Sequence, residues 1–206
     1  MMNELIERYT ALSVCAKEIT GAKNMIISCY EKGGKLLLCG NGGSCADCEH
    51  IAGELMKGFL KKRPLCEAVK EKMRKTDVEE MVLNRLQGGL PAIPLTAFTA
   101  LNSAFCNDVD PELVYAQPLM ALAEKYDVLA AISTSGNSKN VVNAAKVAKG
   151  LGIKVIALTG ESGGMLKDIA DVCIRVPETE TFKVQELHLP VYHYLCAETE
   201  SHFFKV

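Results

Sequence analysis

His50 and Glu54 stand four residues apart in the run C-A-D-C-E-H-I-A-G-E. On a helix that spacing places an imidazole and a carboxylate on one face, a turn from each other, so the pair suits either binding a metal or moving a proton. Just before it, Gly40-Asn41-Gly42-Gly43-Ser44 removes side chains where the backbone must turn sharply, and Ser44 is a good N-cap for the helix that follows. Free backbone N–H groups at such a terminus, with the helix dipole, favour a phosphate or a carboxylate. A second polar loop, Ser133-Thr134-Ser135-Gly136-Asn137-Ser138, carries hydroxyls on Ser133, Thr134, Ser135 and Ser138 that can surround a phosphate without any Lys or Arg. Each loop alone reads equally as an ordinary strand-to-helix turn. Two of them at corresponding positions point to one phosphate site.

These residues need elements to hold them. Residues 35–39, 127–133 and 152–159 are short apolar runs of the kind that fully buried parallel strands require, and 94–98 and 171–176 are weaker strands. Helical patterns alternate with them. One follows each polar loop, one begins at Pro111 and runs to about Tyr126, and one spans 181–203 and is interrupted by Pro190. Five strands alternating with helices predict an α/β fold, a doubly wound parallel sheet covered on both faces. Both loops then lie at carboxyl ends of strands and face one crevice.

Residues 1–32 form a leading helix, with a break expected near Gly21. Such a helix is not needed to complete an alternating sheet, so its apolar face is available to another subunit. From 57 to 91 the chain is dense in charge, with Leu65, Val69, Met73, Val78, Met81, Val82 and Leu86 recurring as in one or two amphipathic helices.

The chain of 206 residues is long enough for one domain with a sizeable core. A formal net charge of -2, from 23 basic and 25 acidic residues, gives no electrostatic case for nucleic acid or an anionic membrane, which leaves small solutes as partners. The N-terminal residues lack the pattern of a secretory signal and no apolar run has the length of a membrane span, so the expected location is cytoplasmic. Nine scattered cysteines fit reduced, buried thiols and no disulfide framework. Cys45-Ala46-Asp47-Cys48 is a C-x-x-C at a helix start, but no second such pair completes a four-thiolate metal site.

The sheet pattern with these two loops resembles the sugar isomerase (SIS) domain family, and in particular its phosphoheptose isomerase branch. G-N-G-G-S, then His50-x-x-x-Glu54, then Asn107-Asp108, then S-T-S-G-N-S, then Gln185 with His193 eight residues later, follow that family's order over nearly the whole chain. The resemblance implies a single SIS domain over residues 1–206, a flavodoxin-like three-layer sandwich. It also implies an aldose–ketose isomerase acting on sedoheptulose 7-phosphate. By the same resemblance Asn41, Gly42, Gly43, Ser44, Asn107, Asp108, Ser133, Thr134, Ser135, Ser138 and Gln185 contact the sugar phosphate. His50, Glu54, Gln185 and His193 hold one zinc ion per subunit, and Glu54 and His193 also transfer the proton. The residue types suit that chemistry, because moving a carbonyl from C2 to C1 takes a proton from one carbon and returns one to its neighbour.

Three further expectations follow. His188, five residues before His193, falls on a different helical face and reads as packing or support for the site. Gln185 and His193 are separated by about 12 Å of helix rise, so either the helix bends or chains combine, which favours a homo-oligomer, by resemblance a tetramer, with sites near subunit interfaces. The segment from about 61 to 89 is longer than the corresponding connection in the family and reads either as a lid or oligomer contact, or as a solvated helical hairpin. Besides the heptose phosphate, another ketose phosphate, or a non-catalytic module that senses a sugar phosphate or binds a regulatory partner, stays open at this point.

Overall fold

The structure, a computed structural model, describes residues 1–205. Its helices are α1 (Met2–Arg8), α2 (Ala16–Glu31), α3 (Gly43–Met56), α4 (Glu67–Arg74), α5 (Glu80–Arg85), α6 (Thr99–Asp108), α7 (Ala116–Leu122), α8 (Lys139–Gly150), α9 (Leu166–Ile169) and α10 (Thr181–Phe203). The strands are β1 (Leu36–Gly40), β2 (Ala92–Pro94), β3 (Val128–Ile132), β4 (Lys154–Thr159) and β5 (Val172–Arg175). They form one sheet in the order β2-β1-β3-β4-β5, with every pairing parallel. This is the doubly wound α/β sheet that the alternating pattern predicts.

Side chains of a strand alternate between faces, and here each face has its own core. Leu36 and Leu38 of β1, Val128, Ala130 and Ile132 of β3, and Ile156 and Leu158 of β4 pack beneath α2, α3 and α10. Leu37, Cys39, Leu129, Ala131, Val155 and Ala157 face the other way, against α7, α8 and α9. With both faces covered, β1 and β3 are buried at every position, which is why their sequences are continuous apolar runs. The helix after β1 packs on one face and the helix after β3 on the other. The order therefore reverses between those two strands, and a crevice opens at their carboxyl ends.

Several elements differ from the sequence reading. The leading segment breaks at Tyr9, not Gly21, and continues as a 3-10 turn over Thr10–Cys15 before α2. Gly21 lies inside α2, facing Val172 with room for ordinary side-chain contact. Leu12, Ile19, Ala22 and Ile26 are buried in the chain's own core, so the apolar face of this segment is covered without a second subunit. The second strand shrinks to Ala92–Pro94 and gives way to a 3-10 turn at Leu95. Asn102 and Ser103 belong to α6. The helix expected from Pro111 to Tyr126 is a 3-10 turn over Pro111–Leu113 followed by α7. Pro190 does not interrupt α10, which is one element of 23 residues.

The segment after α3 forms two short helices, as the pattern predicts, but α4 buries no residue and α5 only Leu83. Met81, Val82 and Leu86 stay exposed, so within the chain this is a solvated hairpin, tied internally by Arg74 to Glu67 and Glu80. Its root is different. Arg63 and Glu200 are both buried side chains paired at 2.8 Å. The Arg63 guanidinium also donates to the carbonyls of Leu55 (2.6 Å) and Glu54 (3.0 Å) and lies over the Phe204 ring. Glu200 accepts the backbone N–H groups of Phe59, Leu60 and Lys61 at 2.8–3.1 Å. Burial pushes the Glu200 carboxyl up, but these donors outweigh it and hold it below the usual carboxylate range.

Removing one member of a buried pair leaves an uncompensated charge, at a cost of about 3–5 kcal/mol. Arg63→Met and Glu200→Ala are each expected to lower unfolding free energy by about that amount, read by urea denaturation. A loss under about 1 kcal/mol would mean that the pair does not anchor this junction.

Candidate active site

Gly40 ends β1, and a side chain there would strike the Ser44 carbonyl, so the loop can close only around glycine. Gly42, with φ +55°, caps α3, and the helix starts at Gly43. Ser44 is therefore not the cap. It sits inside the first turn, buried, and its N–H goes to the Asn41 carbonyl at 3.0 Å. The cap falls to Gly42 because its positive φ suits glycine, a backbone requirement that outranks the usual preference for a hydroxyl.

The loop after β3 is closed by Gly136, with φ +68°, whose N–H donates to the Ser133 carbonyl at 2.9 Å. Ser133 and Ser138 bring their Oγ atoms to 2.9 Å, and the Asn137 N–H points at Ser135 Oγ (3.2 Å). One contact joins the two loops. Asn41 and Asn140, the latter in the first turn of α8, exchange reciprocal amide hydrogen bonds at 2.9 and 3.0 Å. Tyr115 supports the junction, its hydroxyl 2.8 Å from the Gly40 carbonyl and 2.9 Å from Asn41 Oδ1. The Gly40–Ser44 loop is thus tied to the first turn of α8, directly after the Ser133–Ser138 loop.

α10 runs alongside α3, and its residues meet that helix in three successive rungs. At the first, the Gln185 amide lies directly against Gly43, in the space a side chain there would take. At the second, His193 Nε2 is 3.4 Å from His50 Nε2, and His50 Nε2 is 3.2 Å from Glu54 Oε1. At the third, Arg63 ties the Glu54 and Leu55 carbonyls to Glu200. Eight residues of helix, about 12 Å of rise, separate Gln185 from His193. The structure brings His50, Glu54 and His193 together and leaves Gln185 one rung earlier, beside the glycine loop.

Asn107 and Asp108 end α6, exposed and hydrogen-bonded to each other at 2.8 Å. Earlier residues of that helix, Asn102, Ser103 and Cys106, share a cavity of about 430 Å³ with Asn41 and Gly42. Neither Asn107 nor Asp108 lines it.

Two imidazoles and a carboxylate are the donors that zinc takes, with bonds of about 2.0–2.2 Å. Tetrahedral ligands at that length lie a little over 3 Å apart, close to the two distances at the second rung. The donor types and pairwise spacings fit. The full shell is not closed, because among the described residues no group of three His, Cys, Asp or Glu side chains is arranged to hold an ion. Glu54 is instead shared with Lys57 Nζ at 3.3 Å. Burial and the neighbouring His50 ring both lower the His193 pKa, only partly countered by Glu54, so this imidazole is disposed to be neutral.

Sequence reasoning missed the supports of this cluster. Tyr192 is buried and its hydroxyl is 3.0 Å from His50 Nδ1, and the Phe59 ring lies tilted against His193 with centroids 5.5 Å apart. An aromatic at helical spacing signals only core, and Arg63 stands in a Lys-Lys-Arg run that looks solvated. His202 pairs with Glu31 at 2.8 Å on the surface. The nine cysteines are free thiols, and burial pushes the Cys48 thiol of the C-x-x-C upward, away from reactivity.

A family model described as the SIS domain matches residues 2–90 and 89–160, and the chain belongs to that family. Within it, the chain is 36% identical over 193 residues to the phosphoheptose isomerase of Rhodospirillum rubrum, covering 94% of this chain and 90% of that one. It is 38% identical over 195 residues to the phosphoheptose isomerase of Nitratiruptor, covering 95% and 86%. The phosphoheptose isomerase structure from Neisseria gonorrhoeae superposes with a TM-score of 0.76 at 32% identity, over 97% of this chain and 94% of that one. The one from Francisella tularensis gives 0.78 at 32%, over 94% and 91%.

His188, weighed in sequence as a supporting residue, is fully buried, with Nε2 3.3 Å from the Thr159 carbonyl and Nδ1 without a partner. Burial pushes its pKa down to about 4, with the Thr159 bond opposing. The folded chain then resists a proton that the unfolded chain accepts below about 6.5. Its contribution is full above that pH and is lost as pH falls towards 4, roughly 3 kcal/mol across the window. His188→Gln should flatten the fall in unfolding free energy between those limits, measured by urea titrations over pH. An unchanged slope would show that another group governs it.

Proposed function

We propose that the protein is a phosphoheptose isomerase, converting sedoheptulose 7-phosphate to glycero-manno-heptose 7-phosphate. The observation that carries this reading is the alignment along α3 and α10. Gln185 meets the glycine loop at one end, and His193 meets His50 and Glu54 about 12 Å further on. A phosphate held by the Ser133–Ser138 hydroxyls and the start of α3 would leave an open-chain sugar extended towards the imidazole and carboxylate.

There the Glu54 carboxylate takes a proton from C1, exchanges it with solvent, and delivers a proton to C2, while the neutral His193 imidazole passes the hydroxyl proton from O1 to O2. The carbonyl moves from C2 to C1 and no atom is gained or lost. Asn41, Gly42, Gly43, Ser44, Asn107 and Asp108 are read as further sugar-phosphate contacts. Zinc, which we assign to His50, Glu54 and His193, with Gln185 able to join them only from a neighbouring subunit, would supply Lewis-acid polarisation of the carbonyl when bound. Glu54 would then be both a ligand and the base, and this carboxylate already has two partners within reach, His50 Nε2 at 3.2 Å and Lys57 Nζ at 3.3 Å.

The same reading makes the protein a cytoplasmic homotetramer. Supporting it are exposed apolar side chains beside the cluster, Met56 and Leu60, and the absence among the described residues of any helix long and apolar enough to cross a membrane. The intact acid–base cluster favours catalysis over a sugar-phosphate sensor.

Glu54→Gln keeps shape and removes the base. It should lower turnover of sedoheptulose 7-phosphate by at least about 10²-fold while inorganic phosphate binds with unchanged affinity, read by NMR of the sugar and by calorimetry. Turnover within a few-fold of wild type would remove Glu54 from the mechanism.

A further inference from the structure

Asn41, directly after β1, is exposed, yet its side chain is gripped from two sides. Its Nδ2 donates to Asn140 Oδ1 at 2.9 Å and its Oδ1 accepts from Asn140 Nδ2 at 3.0 Å. From the other side the hydroxyl of buried Tyr115 reaches the same Oδ1 at 2.9 Å and the Gly40 carbonyl at 2.8 Å. All three side chains line the cavity of about 430 Å³ beside the glycine loop. The two grips are themselves braced. Asn143 of α8 donates to the Glu112 carbonyl at 3.0 Å and Lys139 pairs with the Glu112 carboxylate at 2.7 Å, which ties the start of α8 to the turn that leads into Tyr115.

One backbone donor sets the sense of these amides. The Val141 N–H lies 3.0 Å from Asn140 Oδ1, so turning the Asn140 amide over would place its NH2 group against another donor. With Asn140 so fixed, Asn41 must present Nδ2 to that oxygen and Oδ1 to the Asn140 NH2 group. Tyr115 then brings a second donor to Oδ1, and the two lone pairs of the Asn41 oxygen are filled. Of the two Asn41 N–H groups, one goes to Asn140, and among the described residues the other has no acceptor. What this side chain has left for a ligand is therefore one N–H, which recognises an oxygen that accepts, such as a hydroxyl or phosphoryl oxygen. Hydrogen bonds on an exposed side chain compete with water and add little stability. What they remove is rotamer freedom that a ligand would otherwise have to freeze out on binding.

We propose that Tyr115 and Asn140 are positioning residues for substrate binding, holding the Asn41 amide in one rotamer with one N–H free for an oxygen of the sugar phosphate. Asn41 touches the ligand, whereas Tyr115 and Asn140 act through it. The choice of sedoheptulose 7-phosphate as that ligand rests on the isomerase reading.

The test is calorimetric titration of the full chain with sedoheptulose 7-phosphate, paired with steady-state kinetics. Tyr115→Phe deletes one hydroxyl and keeps the ring, and Asn140→Ala removes the amide partner. Each should weaken binding and raise KM by about 3- to 10-fold with kcat within about twofold, the pattern of lost uniform binding. Asn41→Ala should weaken binding at least as much. Adding Tyr115→Phe to Asn41→Ala should then change the affinity by less than about twofold, because the hydroxyl has nothing left to hold. Equal effects of Tyr115→Phe with and without Asn41 overturn the proposal, as does a Tyr115→Phe variant that binds the sugar phosphate as wild type does. Asn140→Ala also removes the acceptor of the Val141 N–H, so the Tyr115 cycle is the deciding one. Wild type that binds the sugar phosphate without isomerising it ends the isomerase reading, and the cycle in binding affinity still decides this one. Wild type that does not bind it ends both.

Discussion

The buried pair of Arg63 and Glu200 fixes how α3 and α10 meet around His50, Glu54 and His193. A guanidinium taken out of water needs its donors satisfied, and here they go to a carboxylate on α10 and to the last carbonyls of α3. Those carbonyls belong to Glu54 and Leu55, and Glu200 follows His193 by two turns on α10. One pair thus locks together the two helices that carry the acid–base cluster. The three N–H groups accepted by Glu200 include that of Phe59, whose ring lies against His193, so the junction also shapes one wall of the cluster.

At the opposite end of the same two helices the constraint is steric. Gly43 has no side chain, and the Gln185 amide fills that space. The sheet adds the third constraint. Because strand order reverses between β1 and β3, the loops that follow them open into one crevice, and the reciprocal Asn41–Asn140 amide pair holds their edges together. The glycine loop and the His50–Glu54–His193 cluster are therefore placed by different forces, backbone geometry at one and a buried ion pair at the other.

Much of this was legible in the sequence because it is local. Apolar runs at 36–40 and 128–132 announce buried parallel strands, glycines at 40, 42 and 136 announce tight turns, and the four-residue spacing of His50 and Glu54 announces a shared helical face. What escaped depends on contacts between distant segments. Arg63 looks solvated until Glu200, 137 residues away, is seen to cover it. Tyr192 looks like core until its hydroxyl is found at His50. Ser44 has the composition of a cap, yet Gly42 has the conformation for one. The leading segment is read as spare because its partner surface is not local. In the fold, Ile19 and Ile26 close the core over the sheet.

The central claim is that a carboxylate and an imidazole, set by α3 and α10, move a proton between adjacent carbons of a sugar phosphate. Running the conversion of sedoheptulose 7-phosphate in deuterated water, with zinc supplied or chelated, and reading the product by NMR, tests it most directly. The account predicts an aldose phosphate carrying deuterium at C2, formed faster with zinc than without. A product formed with only protium at C2 would point to internal hydride transfer, and no product with phosphate still bound would contradict the isomerase assignment itself.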